Sequence, residues 1–163
     1  MNNNETPLRD ALIQNSVRYL IDENFPRVIK CLTMLNEDEI WYRPNSQSNS
    51  VGNLVLHLNG NLNQWILDYI GGKPFVRNRP LEFAAEKTHR KEELILMMTN
   101  LSEELRSCIQ SVTSEKLLGI LPIPNQQETG ISVLIHIIEH FSFHTGQIAF
   151  ITKWLKDQQT NFY

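Results

Sequence analysis

Four long stretches of this chain carry apolar residues at three- and four-residue steps, and none sustains the alternation of a β-strand. That periodicity dictates helices, so the expected fold is all-α, with each helix turning one stripe toward a shared core. The first stretch runs from about Pro7 to Leu35, and Pro26 is expected to kink it or start a second helix, because proline removes a backbone donor. The second opens at the N-cap pair Asn49-Ser50 and runs to Ile70, where Gly71-Gly72 stops it. Thr88 is the expected cap of the third, which carries Leu94, Met97, Leu101, Leu105 and Cys108. Thr129 is the expected cap of the fourth, from about Gly130 to Leu155.

Residues 71–87 and 113–128 join these stretches, and both exceed the usual helix-hairpin loop. At least one is expected to cross from end to end of a four-helix bundle. At 163 residues the chain is expected to form one domain, 1–163, with a sizeable core. Hydrophobic residues at 41% and charged residues at 20% fit a globular protein. A net charge of −3 provides no basic footprint, so nucleic acid is not an expected partner. No apolar run is long enough to span a bilayer, and the start "MNNNETPLRD" lacks the pattern of a signal peptide. The expectation is therefore a cytoplasmic protein. Cys31 and Cys108 are far apart and sit among apolar residues, as reduced core thiols do.

The fourth stretch contains "HIIEHFSFHTGQ", which holds three of the five histidines. On a wheel of about 100° per residue with His140 at zero, His136 falls near −40° and His144 near +40°. The three imidazoles share one stripe, expected to face the bundle centre. A core histidine needs partners for both ring nitrogens, and three together multiply that demand. A metal ion meets it, since side chains at i and i+4 rise on one face and two neutral imidazoles can bind one cation. A third ligand is needed from elsewhere. His57, midway along the second helix in "NSVGNLVLHLNGNLNQW", is the candidate, with Asn53, Asn61 and Gln64 as same-face polar neighbours; His89 lies in the polar run "KTHRKEE". Without a metal, the same histidines would be core residues bonded to backbone or carboxylate.

The stretch "HFSFHTGQI" resembles the closing-helix signature of the DinB/YfiT-like superfamily. The resemblance narrows to one bacterial branch, a DinB-like domain of unknown function. It does so through "WYRPNSQSNSVGNLVLHLNGNLNQWI", "RNRPLEFA", "HIIEHFSFHTGQIAFITKWL" and the terminal "NFY". It implies a four-helix bundle binding one divalent metal, zinc or nickel, through His57, His140 and His144, with His136 outside the ligand set. It further implies a metal-dependent hydrolase or a transferase using a low-molecular-weight thiol. Many relatives carry arginine directly after the last histidine; here the residue is Thr145, so no anion-binding role carries over.

Three imidazoles leave a metal its full charge and an open position, as catalytic sites do. No general base stands out. Glu139 points about 100° away from His140. Glu82, in the first connection with Arg77 and Arg79, can serve as a base or as an ion pair tying down the loop. Trp41, Tyr42 and Arg43 can line a pocket or anchor the core. Ile131, Ile135 and Ile138 lie far from the histidine stripe, so the fourth helix is apolar nearly all round. The long connections can cover that surplus; the resemblance favours a homodimer instead. A non-catalytic dimer whose metal or histidine network is structural is the alternative function.

Overall fold

Helix starts follow the side chains that can satisfy the first backbone N–H groups. The computed structural model describes residues 5–162, so the first four residues of the polar start and the last residue of "NFY" lie outside the described residues. Ser50 accepts from the Asn53 N–H and Asn53 returns the bond, a capping box that opens α4 (Val51–Leu62). Thr129 and Ser132 do the same for α8 (Gly130–Lys156). The expected cap Thr88 falls two residues early: α6 (Lys91–Ser111) opens at Arg90, whose backbone N–H donates to the Glu93 carboxylate at 2.8 Å. Glu93 supplies the anchoring carboxylate, so it sets the start.

Pro26 stands in the first turn of a second α-helix, one of the two outcomes its missing N–H predicts. α1 (Glu5–Ser16) passes into a π-helical stretch, Val17–Asn24, and then into α2 (Phe25–Met34) with helical backbone at both Asn24 and Phe25. The wider π turn just ahead of the proline takes up the register where its missing N–H would have bonded. Buried Asn24 helps hold this turn, donating to the Tyr19 carbonyl at 2.8 Å and to Ser142 Oγ on α8 at 3.1 Å. α4 likewise runs into a π stretch, Asn63–Ile70, which Gly71 closes.

The α1–α2 run packs on α6 and α8, as does the run from α4 through its π stretch. Between them lies a core that includes Leu32, Leu58, Met98 and the edge-on pair Phe25–Phe141, with ring centroids 4.9 Å apart. No β-strand occurs among the described residues; Ile120 and Thr129 form one isolated bridge. Cys31 is buried and Cys108 half-buried, both as free thiols, and burial raises the pKa of each. Among the described residues, no helix is long and apolar enough to cross a membrane.

Three short helices lie between the long ones. α3 (Glu37–Ile40) precedes α4. α5 (Arg79–Ala84) lies against α4, and α7 (Ser114–Leu118) against α1 and α8. The segment after α5 returns to the beginning of α4: Trp41 Nε1–H donates to the His89 carbonyl at 3.1 Å, and the Lys91 N–H to Glu37 at 2.7 Å. The connection thus runs back along α4, over His57. Arg9 on α1 donates to the Val112 carbonyl at 2.9 Å, fixing the end of α6.

One expectation about α8 is corrected. Its buried face is Val133, Leu134, Ile137, Phe141, Thr145, Ile148, Ala149 and Thr152, centred roughly 100° around from His140. His136 is exposed, and His140 and His144 are half-buried. The histidine stripe therefore flanks the core rather than facing its centre, because the larger apolar arc takes the interior.

Candidate metal centre

His57 faces inward from α4 and is only 4% exposed, while His140 and His144 approach it from α8. One potential ligand atom from each lies within 4.8 Å of the others. These three histidines could hold a metal ion. His136 falls outside the cluster; its ring packs edge-on against Trp65 at 5.5 Å and lies 5.7 Å from His140.

Two partners face the inner nitrogen of His57: Glu82 Oε2, which only accepts, at 2.9 Å, and Arg77 Nη2, which only donates, at 3.0 Å. With the proton on Nδ1 and bonded to Glu82, Nε2 keeps a lone pair. His144 Nδ1–H donates to Gln147 Oε1 at 2.7 Å, which again leaves Nε2 free. His57 Nε2 and His140 Nε2 stand 3.3 Å apart. Two nitrogens bound to one tetrahedral zinc at 2.0–2.1 Å are separated by about 3.3–3.4 Å. The His57–His140 pair thus has the spacing of two ligands of one such ion, with a His144 nitrogen within 4.8 Å of both. The His140 Nδ1 is buried without a protein partner.

Electrostatics keep these rings neutral, the form that binds metal. Burial holds His140 far below the ordinary imidazole value, at about 3, with neighbouring His144 and His57 adding to the effect. Burial lowers His57 as well; the Glu82 bond opposes the shift and nearby Arg77 assists it. His144 is lowered by burial and partly restored by Gln147.

Glu82 is held in turn. Arg77 Nε donates to its Oε1 at 2.7 Å and Arg77 Nη2 to its Oε2 at 2.8 Å, a two-pronged pair with both side chains buried. Gln64 accepts from Arg77 Nη1 at 3.2 Å. Asn53 fastens the surrounding strap, donating to the carbonyls of Glu82 at 3.0 Å and Ala85 at 2.9 Å. Arg43 binds the Phe83 carbonyl and Asn53 Oδ1. Gly60 makes the approach possible, since a Cβ there would collide with Glu82 Oε1.

The sequence left Glu82 as either an ion pair or a base. It is an ion pair with Arg77, and the same carboxylate bonds directly to His57. Arg79 instead sits over the Phe83 ring. Trp41 is a buried anchor against Gly52, Arg43 ties the strap, and Tyr42 is exposed. Asn61 is buried with its carboxamide oxygen unpartnered, and Glu139 is exposed. Sequence reasoning assigned no role to Gln147, although its place on the histidine stripe one turn past His144 was the available signal.

The profile of a family described as a protein of unknown function (DUF1572) matches residues 14–162. The chain belongs to this family. No curated protein matches it. The matched span of this DUF1572 chain includes all three clustered histidines together with Arg77, Glu82 and Gln147.

Proposed function

We propose that His57, His140 and His144 bind one divalent ion, zinc or nickel, in a metal-dependent hydrolase or low-molecular-weight-thiol transferase. In this reading the chain is one domain, 1–163, a DinB-like four-helix bundle with a crossover between the second and third long helices. It works in the cytoplasm as a homodimer. The observation that carries the reading is the 3.3 Å separation of the His57 and His140 Nε2 atoms, with the Nδ1 atoms of His57 and His144 facing the acceptors Glu82 and Gln147. A nitrogen–nitrogen hydrogen bond of that length is long, whereas the spacing suits two ligands of one ion.

When bound, such an ion supplies Lewis-acid activation of a water or thiol at neutral pH. The chain's own residues orient the ligands. Glu82 holds the Nδ1 proton of His57 and so aims its Nε2 at the site; Gln147 does the same for His144. Arg77 fixes the Glu82 carboxylate by both prongs, keeping it from turning toward a cation itself. Burial of the rings favours their neutral form.

The test is a screen of thiol-transfer and hydrolase substrates with zinc- and nickel-loaded protein, alongside a His140→Ala variant. Turnover that needs the metal and vanishes in the variant supports the enzyme reading. Metal that binds without turnover and raises the melting temperature supports the structural alternative.

A further inference from the structure

Gly146 sits in the middle of the 27-residue α8, yet a Cβ built on it would meet nothing within 4 Å. Glycine is among the weakest helix formers, and packing within the fold does not call for it here. The open space above it is a groove of about 740 Å³, within the roughly 300–1,000 Å³ of small-molecule sites. Its α8 wall is largely apolar: Phe143, Phe150 and Trp154 are 59%, 69% and 54% exposed, with Ile151 beside them, while Gln47, Ser48 and Asn49 make the opposite rim polar. No charged residue lines it. Gly146 and Phe150 also border a second groove that Arg27 and Lys153 line.

The groove borders the histidine cluster through shared neighbours, although none of the three histidines lines it. Gln147, one of its lining residues, accepts from His144 Nδ1, and the Phe143 ring lies edge-on to His144 with centroids 5.3 Å apart. Leu54 is one turn from His57 on α4. At about 1.5 Å per residue, Phe150 lies roughly 9 Å along the helix from His144. We infer that this groove receives the uncharged apolar chain of a substrate whose reacting group sits at the histidine cluster, with Gly146 leaving room for the chain. The inference rests on the metal-site reading and adds to it the substrate class.

The experiment titrates metal-loaded full-length protein with acetohydroxamate and octanohydroxamate, which share a metal-binding head and differ in tail. Octanohydroxamate is expected to bind at least about tenfold tighter, since its additional methylenes leave water. Gly146→Leu, whose Cβ enters open space at the groove, and Phe150→Ala, which removes part of its wall, should each reduce that ratio at least threefold. Acetohydroxamate affinity, metal content and sedimentation should stay unchanged. Equal affinity for the two probes, or a ratio untouched by Gly146→Leu, overturns the groove and leaves the metal reading standing. Absence of bound metal overturns both. Dissociation of a dimer by Gly146→Leu shows that a second copy occupies this face, and it too overturns the proposal.

Discussion

A single carboxylate organises the site at the residue scale. Glu82 is buried between the Arg77 guanidinium and His57, so its loss has two separable effects. Glu82→Gln retains a hydrogen-bond acceptor but leaves Arg77 without its counter-charge. Metal affinity should fall about 10–100-fold from loss of the orienting carboxylate. Removing one partner of a buried pair should also destabilise the fold by about 3 kcal/mol. Competition with a chromophoric chelator and denaturant unfolding read the two effects separately. Unchanged metal affinity would show that His57 needs no help from Glu82. The pH response follows from the depressed histidines. The folded, metal-free chain binds fewer protons than the unfolded chain between the ordinary imidazole value, near 6.5, and the value of about 3 at His140. Stability should therefore fall as pH drops through this window, and unfolding should take up protons. Calorimetry in buffers of different ionisation enthalpy measures that uptake; none at pH 5 would contradict the burial assigned to these rings.

The strap over α4 shows what an element contributes and how much of it the sequence disclosed. Gly60 is the clearance through which Glu82 reaches His57. Gly60→Ala would favour the helix by roughly 1 kcal/mol in isolation, yet should destabilise the protein by about 1–3 kcal/mol by crowding a pinned carboxylate. A crystal structure of this variant should show Glu82 displaced from His57; an unmoved carboxylate would remove Gly60 from the account. The caps Ser50 and Thr129 were readable because they depend on residues three apart in sequence. The histidine cluster was readable because helical periodicity places His140 and His144 together. The Glu82–arginine ion pair was readable as one of two roles, but its contact to His57 was not, since that joins a connection to a helix through tertiary packing. The π stretches escaped as well, because only one hydrogen-bond register separates them from an α-helix. The position of the histidine stripe was misread because the apolar arc of α8 is broad enough to centre on Phe141 instead.

For the whole molecule, the surplus apolar face of α8 is partly accounted for within one chain. Ile131 borders a small cavity with Leu8, Leu12 and Leu117, so α1 and α7 cover it in part. Ile138 packs partly against the core, while Ile135 remains 58% exposed. If this side forms the proposed twofold interface, Ile135→Lys should weaken self-association and leave metal content unchanged. Sedimentation of the native chain as a monomer at high concentration would refute the dimer. On α8 the groove residues run from Phe143 onward, about two turns past Ile135.

Metal stoichiometry measured together with coordination tests the central claim most directly. Protein purified with zinc or nickel should retain close to one ion per chain, and X-ray absorption should report nitrogen ligands at about 2.0–2.1 Å for zinc. Alanine at His57, His140 or His144 should each abolish retention, whereas His136→Ala should keep it. Full loading that survives His57→Ala, or loss of the ion on changing His136 alone, would contradict the three-histidine site.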